Sequence, residues 1–227
     1  MSHFSNTRSI HAGRQDLSHL GVHAAPLDFS TTYPIGNLKD GAHELGEMAH
    51  GNQPRSNPIY ARLHNPTVSR FEDAMAQIEG GETGIAFASG MAALTAALLA
   101  AKIKGNHVVA VRPLYGGTDH LLSSGLLGLD VDWATVETIH TAKRDGTSLI
   151  IAETPANPSL QLTNIERLIE EAGGIPVLID STFATPVLQN PISLGAHAVL
   201  HSATKYLGGH GDVMGGVIVT NEEWAKA

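Results

Sequence analysis

Seven short apolar runs, at 84–88, 107–111, 129–133, 149–152, 177–179, 198–200 and 213–219, constrain this chain more than any other feature. Several of them are apolar without alternation. A strand with no polar side needs cover on both faces, as in sheets whose parallel strands are joined by helices. The intervening segments read as those helices. After Asn65-Pro66-Thr67, the residues Val68, Phe71, Met75 and Ile78 recur at spacings of three and four until Gly80-Gly81 ends the pattern. Further helical patterns cover 91–103 and 164–172, and another begins near 118. The expected fold is α/β, a mostly parallel seven-stranded sheet sandwiched by helices.

Residues 1 to about 60 lack such a period and are rich in Gly, Pro, Asn and His, as in Ser30-Thr31-Thr32-Tyr33-Pro34 and the run 52–58. They read as an extended N-terminal arm ahead of a domain at 61–227. A composition of 42% hydrophobic and 16% charged residues suits a globular chain. With 22 acidic against 14 basic residues and no Lys/Arg stripe, neither nucleic acid nor a membrane surface is an expected partner. The absence of cysteine excludes a disulfide, a thiolate nucleophile and a Cys-based zinc site, and it suits a reducing cytoplasm. No apolar stretch approaches the roughly 18 residues that span a bilayer, and the first residues carry no leader pattern. The end at Trp224-Ala225-Lys226-Ala227, soon after the last strand-like run and without a closing helix, reads as a cut.

In open α/β sheets ligands gather at the carboxyl ends of strands, so the residues just after each apolar run matter most. Ser89-Gly90-Met91 opens a helix there, and a helix start with a glycine can seat a phosphate on its free N–H groups. By itself it is ordinary turn punctuation. The run at 177–179 ends on Asp180, a carboxylate able to keep a heterocyclic nitrogen protonated. The run at 198–200 leads into His201-Ser202-Ala203-Thr204-Lys205, with two hydroxyls beside an imine-forming amine. A lone lysine after a strand is usually a solvated charge. Together the three features supply what pyridoxal 5′-phosphate needs: a phosphate seat, a partner for its ring nitrogen and an amine for its aldehyde. His197 and His201, four apart on a strand, lack the one-turn helical spacing of a metal pair, and no metal is expected.

The motifs Thr7-Arg8-Ser9-Ile10-His11-Ala12-Gly13, Tyr60-Ala61-Arg62-Leu63-His64-Asn65-Pro66-Thr67, Glu79-Gly80-Gly81, Ser89-Gly90-Met91, Leu114-Tyr115-Gly116-Gly117-Thr118, Glu153-Thr154-Pro155-Ala156-Asn157-Pro158, Asp180-Ser181-Thr182 and His201 to Leu207 carry a resemblance through nearly the whole chain. It is similar to the Cys/Met-metabolism family of fold-type I pyridoxal-phosphate enzymes, which includes cystathionine γ-synthases, cystathionine and methionine γ-lyases and O-acyl-homoserine sulfhydrylases. The resemblance implies that Tyr60 and Arg62 reach the phosphate of a neighbouring subunit, so that the protein self-associates, as a dimer of dimers. It implies that Tyr115 stacks on the ring and moves a proton at the leaving group, and that Asn157 faces the cofactor's phenolic oxygen. Thr182 is expected under the ring, Ser181 stands where the family often has Asn, and Glu153 is expected to be scaffold.

The implied substrate is a small amino acid. The reaction expected is elimination at the γ (or β) carbon of a sulfur amino acid such as cystathionine or methionine, giving a 2-oxo acid, ammonia and a thiol. Gly117 stands where methionine-specific γ-lyases tend to carry Cys, and Asp119 is an uncommon follower. The alternative is γ-replacement on O-acyl-homoserine. A second alternative is a cofactor-binding piece that needs another polypeptide, because the family's C-terminal small domain, with its carboxylate-binding arginine, is absent from this sequence.

Overall fold

The computed structural model describes residues 6–55 and 57–226. Residues 1–5, which bore the expectation of no leader, Ser56 within the turn-rich run and Ala227 lie outside the described residues. The arm carries α1 (Asn6–His11), α2 (Leu17–Leu20) and α3 (Leu38–Ala49). Then follow α4 (Pro66–Glu79), β1 (Thr83–Phe87), α5 (Gly90–Lys102), β2 (His107–Val111), α6 (Gly116–Ser123), β3 (Asp130–Ala134), α7 (Ile139–Ala142), β4 (Thr147–Glu153), α8 (Ile165–Ala172), β5 (Val177–Asp180), α9 (Thr185–Leu188), β6 (Ala198–His201), β7 (Gly216–Thr220) and α10 (Glu222–Ala225).

The helix boundaries follow from capping chemistry. Asn65 accepts the N–H groups of Thr67 and Val68 at the start of α4, Pro66 needs no donor partner there, and Gly80 closes the helix at φ 78°. Asn164 and Gly173 bracket α8 in the same way. Seven strands form one sheet in the order β1-β7-β6-β5-β4-β2-β3. Strand β7 is antiparallel to both of its neighbours and every other pair is parallel. The mostly parallel seven-stranded sheet is as expected.

Alternate residues of the central strands serve opposite faces, which is why their sequences show no alternation. Val108, Ala110, Leu149, Ile151 and Leu178 pack with Leu94, Ala97 and Leu98 of α5. Val109, Val111, Ile150, Ala152 and Ile179 pack with Ile139 of α7 and Ile165 and Leu168 of α8. Both clusters are buried, at about 25 cal/mol for each Å² of apolar surface removed from water. Helix α4 lays Phe71 and Met75 on Val217 and Val219 of β7. Its buried face is displaced from the expected one: Val68 is exposed, whereas Ser69 and Glu79 are buried.

The arm differs from the expectation between 38 and 49, where α3 replaces extended chain. Its buried residues are Gly41, Glu44 and Met48, a helical spacing carried mostly by non-apolar residues and therefore invisible to a hydrophobic count. Asn37 caps it by accepting the Asp40 N–H at 2.9 Å. The arm is tied to α4 by Arg70, which donates to Asp16 at 2.6 Å and to the Pro26 carbonyl at 3.2 Å. A short closing helix, α10, also was not expected; its Trp224 packs against the α5 side of the core. Among the described residues no helix is long and apolar enough to cross a membrane.

Candidate active site

A cavity of about 200 Å³ opens where the parallel strands end, and Ser89, Gly90, Met91, Tyr115, Asn157, Asp180, Thr182, Ser202, Thr204 and Lys205 all line it. They come from the ends of β1, β2, β4, β5 and β6 or the segments just after them, which is where a doubly covered sheet leaves a crevice. Glu153, Thr118, Phe183 and Met214 complete the same wall.

One side is the start of α5. Ser89 is the N-cap and accepts the Ala92 N–H at 3.1 Å. The N–H groups that open a helix lack an intrahelical acceptor, and the helix dipole adds partial positive charge there. Gly90 is required by the close approach of the lysine segment, because a Cβ on it would sit 2.8 Å from the Ser202 Cβ. The helix start and Ser202 are thus pressed together in one corner, whose unpaired N–H groups could receive an anion.

The floor is Asp180, at the end of β5. Its Oδ1 accepts from the Thr182 N–H at 3.0 Å and from the Thr182 hydroxyl at 2.6 Å. The same hydroxyl oxygen accepts the Ser202 N–H at 2.9 Å. Thr182 is therefore a clamp between the carboxylate and the lysine segment. Among the described residues no hydrogen bond engages Asp180 Oδ2. Burial pushes the Asp180 carboxyl above the usual carboxylate range, with the two Thr182 hydrogen bonds opposing the shift. A cationic N–H placed in the cavity would reverse that shift.

Lys205 lines the cavity and is exposed. Thr204 holds the turn that carries it: its hydroxyl donates to the Gly215 carbonyl at 3.2 Å and accepts the Gly215 N–H at 3.1 Å. Tyr115 is the N-cap residue of α6, is 43% exposed and lines the cavity. A Cβ at Gly117 would lie 2.6 Å from the Tyr115 ring, so the missing side chain leaves the space that ring occupies. Asp119 pairs with Arg112 at 2.7 Å, and the Arg112 guanidinium stacks 3.6 Å from the Trp133 ring centre, which fixes the first turn of α6 to β2 and β3.

Glu153, read from sequence only as scaffold, is the main addition. It is buried, lines the cavity, and stands opposite Asp180 in the β4–β5 register. Burial, and next the charge of Asp180, raise its carboxyl from 4.5 to about 7. Of its partners only Asn157 is near in sequence; Tyr115 and Asp180 come from the ends of other strands, so local spacing alone does not reveal its place.

Tyr60 and Arg62 do not join the cavity. Tyr60 bridges to Thr32, and the Arg62 guanidinium lies 5.2 Å over the Tyr60 ring on the exposed arm. No group of three or more His, Asp or Glu suited to a metal occurs among the described residues. The cavity's contents fit pyridoxal 5′-phosphate: a carboxylate with a free oxygen, a lysine amine at the rim, and a helix start too close to Ser202 for any side chain at position 90.

Residues 6–227 match the family of Cys/Met metabolism PLP-dependent enzymes. The chain is 53% identical over 222 residues to an L-methionine gamma-lyase of Brevibacterium aurantiacum, covering 96% of this chain and 55% of that protein. It is 52% identical to one of Streptomyces avermitilis, covering 97% of this chain and 54% of that protein. Among solved structures, one assigned as an O-acetylhomoserine (thiol)-lyase of Campylobacter jejuni, carrying a pyridoxyl-lysine monophosphate, superposes with a TM-score of 0.83 at 28% identity. That match covers 96% of this chain and 54% of the solved one. The chain spans about half the length of the curated relatives it matches.

Proposed function

Since the chain belongs to the family of Cys/Met metabolism PLP-dependent enzymes, we propose that the protein eliminates the γ-substituent of a sulfur amino acid, methionine or cystathionine. With one water consumed, the products are a 2-oxo acid, ammonia and a thiol. The observation that carries this reading is the convergence of Lys205, Asp180 and the α5 start on one cavity. The methionine gamma-lyases at 52–53% identity support elimination over replacement.

Bound pyridoxal 5′-phosphate supplies an electron sink for bonds broken beside the substrate nitrogen. Lys205 would attach it, and the freed amine would then take a proton from the substrate α-carbon. Asp180 would hold a proton on the ring nitrogen, and Thr182 keeps that carboxylate aimed. The N–H groups of Gly90 and Met91 with the hydroxyls of Ser89 and Ser202 would hold the phosphate, and Thr204 shapes the turn beside them. Asn157 would face the ring's phenolic oxygen. Tyr115 would carry a proton to the departing sulfur. Tyr60 and Arg62 would complete the phosphate site of a neighbouring subunit in a dimer of dimers, where the Arg fork suits a phosphate. A cytoplasmic setting belongs to the same proposal.

The purified protein should be yellow, and Lys205→Ala should abolish the visible band. Incubation with methionine or cystathionine should release 2-oxobutanoate. O-acyl-homoserine with cysteine, assayed for cystathionine, reads the replacement reaction, and cystathionine formed without 2-oxobutanoate from either sulfur amino acid would transfer the assignment to replacement. A colourless protein that ignores added pyridoxal phosphate overturns the cofactor reading itself.

A further inference from the structure

One carboxylate in the cavity has no part in the chemistry above. Glu153 ends β4, and its two oxygens are committed to two different loops. Oε1 accepts the Asn157 N–H at 2.9 Å. Oε2 accepts the N–H of Tyr115, the residue that caps α6 and whose own side chain makes no cap hydrogen bond. The N–H of a cap residue is one of the unpaired donors of a helix start, and an anion is favoured beside it. A strand end thus supplies from afar what a capping box supplies locally.

Tyr115 and Asn157 are cavity residues on two loops, after β2 and after β4, outside the lysine segment and the helix-start corner. Neither loop is otherwise tied to the other by a hydrogen bond among the described residues. On the sheet Glu153 pairs in register with Asp180, so two carboxylates stand side by side on adjacent strand ends. From this geometry we infer that Glu153 is the positioning residue of the site, a buried carboxylate that sets Tyr115 and Asn157 by their backbones and adds its negative charge to that of Asp180. The inference rests on the cofactor reading above and deepens it.

The side-by-side placement explains why an acid is used and not an amide. A glutamine could accept one N–H but would turn its own NH₂ toward the other, leaving a buried donor unpaired. The titratable groups lining the same cavity are Asp180 on β5, Tyr115 before α6 and Lys205 beyond β6. Burial first, and then the charge of Asp180, raise the Glu153 carboxyl to about 7, while the Asn157 and Tyr115 N–H groups act to lower it. Without a cofactor the Glu153 carboxyl is held at about 7, and a positive ring nitrogen on Asp180 lowers it and favours its ionised form.

The test uses the holoprotein and the variants Glu153→Gln and Glu153→Asp. Wild-type protein with a visible band establishes the cofactor reading independently, and absence of that band sinks that reading, not this one. Given the band, Glu153→Gln should weaken pyridoxal-phosphate binding about tenfold, the loss expected of one hydrogen bond to a charged group. It should also remove one step, lying below the cofactor-free value of about 7, from the pH titration of the visible band. Glu153→Asp keeps the charge and loses the reach, so it should keep that step while raising KM more than it lowers kcat. A merely structural glutamate would leave the band's pH profile unmoved in both variants. Cofactor binding and pH profile unchanged in Glu153→Gln overturn the inference; if that variant does not fold, an unchanged KM in Glu153→Asp does so.

Discussion

His201 and Glu79 meet inside the core, with His201 Nε2 2.5 Å from Glu79 Oε1 and neither side chain exposed. The contact joins the end of β6, one residue before Ser202, to the last turn of α4. Asn190 adds a donor to the other Glu79 oxygen at 3.3 Å. Among the described residues His201 Nδ1 has no partner.

Removing one member of such a pair strands the other. Glu79→Ala would leave both imidazole nitrogens buried without a partner, at a cost of about 3 kcal/mol. Urea unfolding of the variant, compared with wild type, measures the loss; a change within ±0.5 kcal/mol would mean that the pair contributes no net stability.

The space at Gly117 predicts a kinetic phenotype. In Gly117→Ala the new Cβ falls 2.6 Å from the Tyr115 ring, so the ring must move. Misplacing a proton-carrying group by about 1 Å costs up to ~100-fold in rate. We expect kcat to fall at least about tenfold with cofactor binding retained, as read by steady-state kinetics and the visible band. An unchanged kcat would place Tyr115 outside the chemistry.

Stability should fall as pH rises through neutrality in the cofactor-free protein. Glu153, raised to about 7, and Asp180, also raised, bind protons more tightly folded than unfolded. Their protonated forms favour the fold, and that contribution is lost as pH climbs from the ordinary carboxylate range through about 7. For Glu153 alone the change is about 3 kcal/mol. His64 and His197, whose pKa values burial lowers, act in the opposite sense, destabilising the fold as pH drops below their ordinary 6.5. The difference between wild type and Glu153→Gln in denaturant midpoints from pH 5 to 8 isolates the Glu153 part. Parallel curves would contradict it.

The proposed contribution of Arg62 to a neighbouring site predicts complementation. Lys205→Ala and Arg62→Ala should each be nearly inactive alone. Unfolding and refolding them as a mixture should restore activity, because a hybrid contains one site with both residues intact. No recovery in a mixture proven to hold hybrids would place Arg62 in its own subunit's site or in none.

Much of this was legible in the chain because short-range patterns carried it. The central strands are apolar throughout and are covered on both faces, and the residues at their carboxyl ends stand next to them in sequence, so Ser89, Asp180 and Lys205 could be read together. What escaped depends on long-range pairing. The antiparallel direction of β7 leaves no mark in a strand buried on both faces. The Glu153 tie to Tyr115, and the Glu79 pairing with His201, join residues that no periodicity relates. Helix α3 escaped because Gly41 and Glu44 occupy its buried face.

The edge position of β1 has a consequence for assembly in time. In the sheet this strand pairs only with β7, which follows every other strand in the chain. During synthesis β1 and the helix start behind it wait, with an open edge, while nearly the whole sheet forms from its other side. Pairings of such long sequence separation are slow to close. The corner between Gly90 and Ser202 therefore closes only once β6 and β7 have joined β1, so the proposed cofactor site is completed late in the formation of this sheet. Holding β1 in place late also exposes its edge to other chains for the longest time, so slow synthesis would threaten solubility before it threatened chemistry.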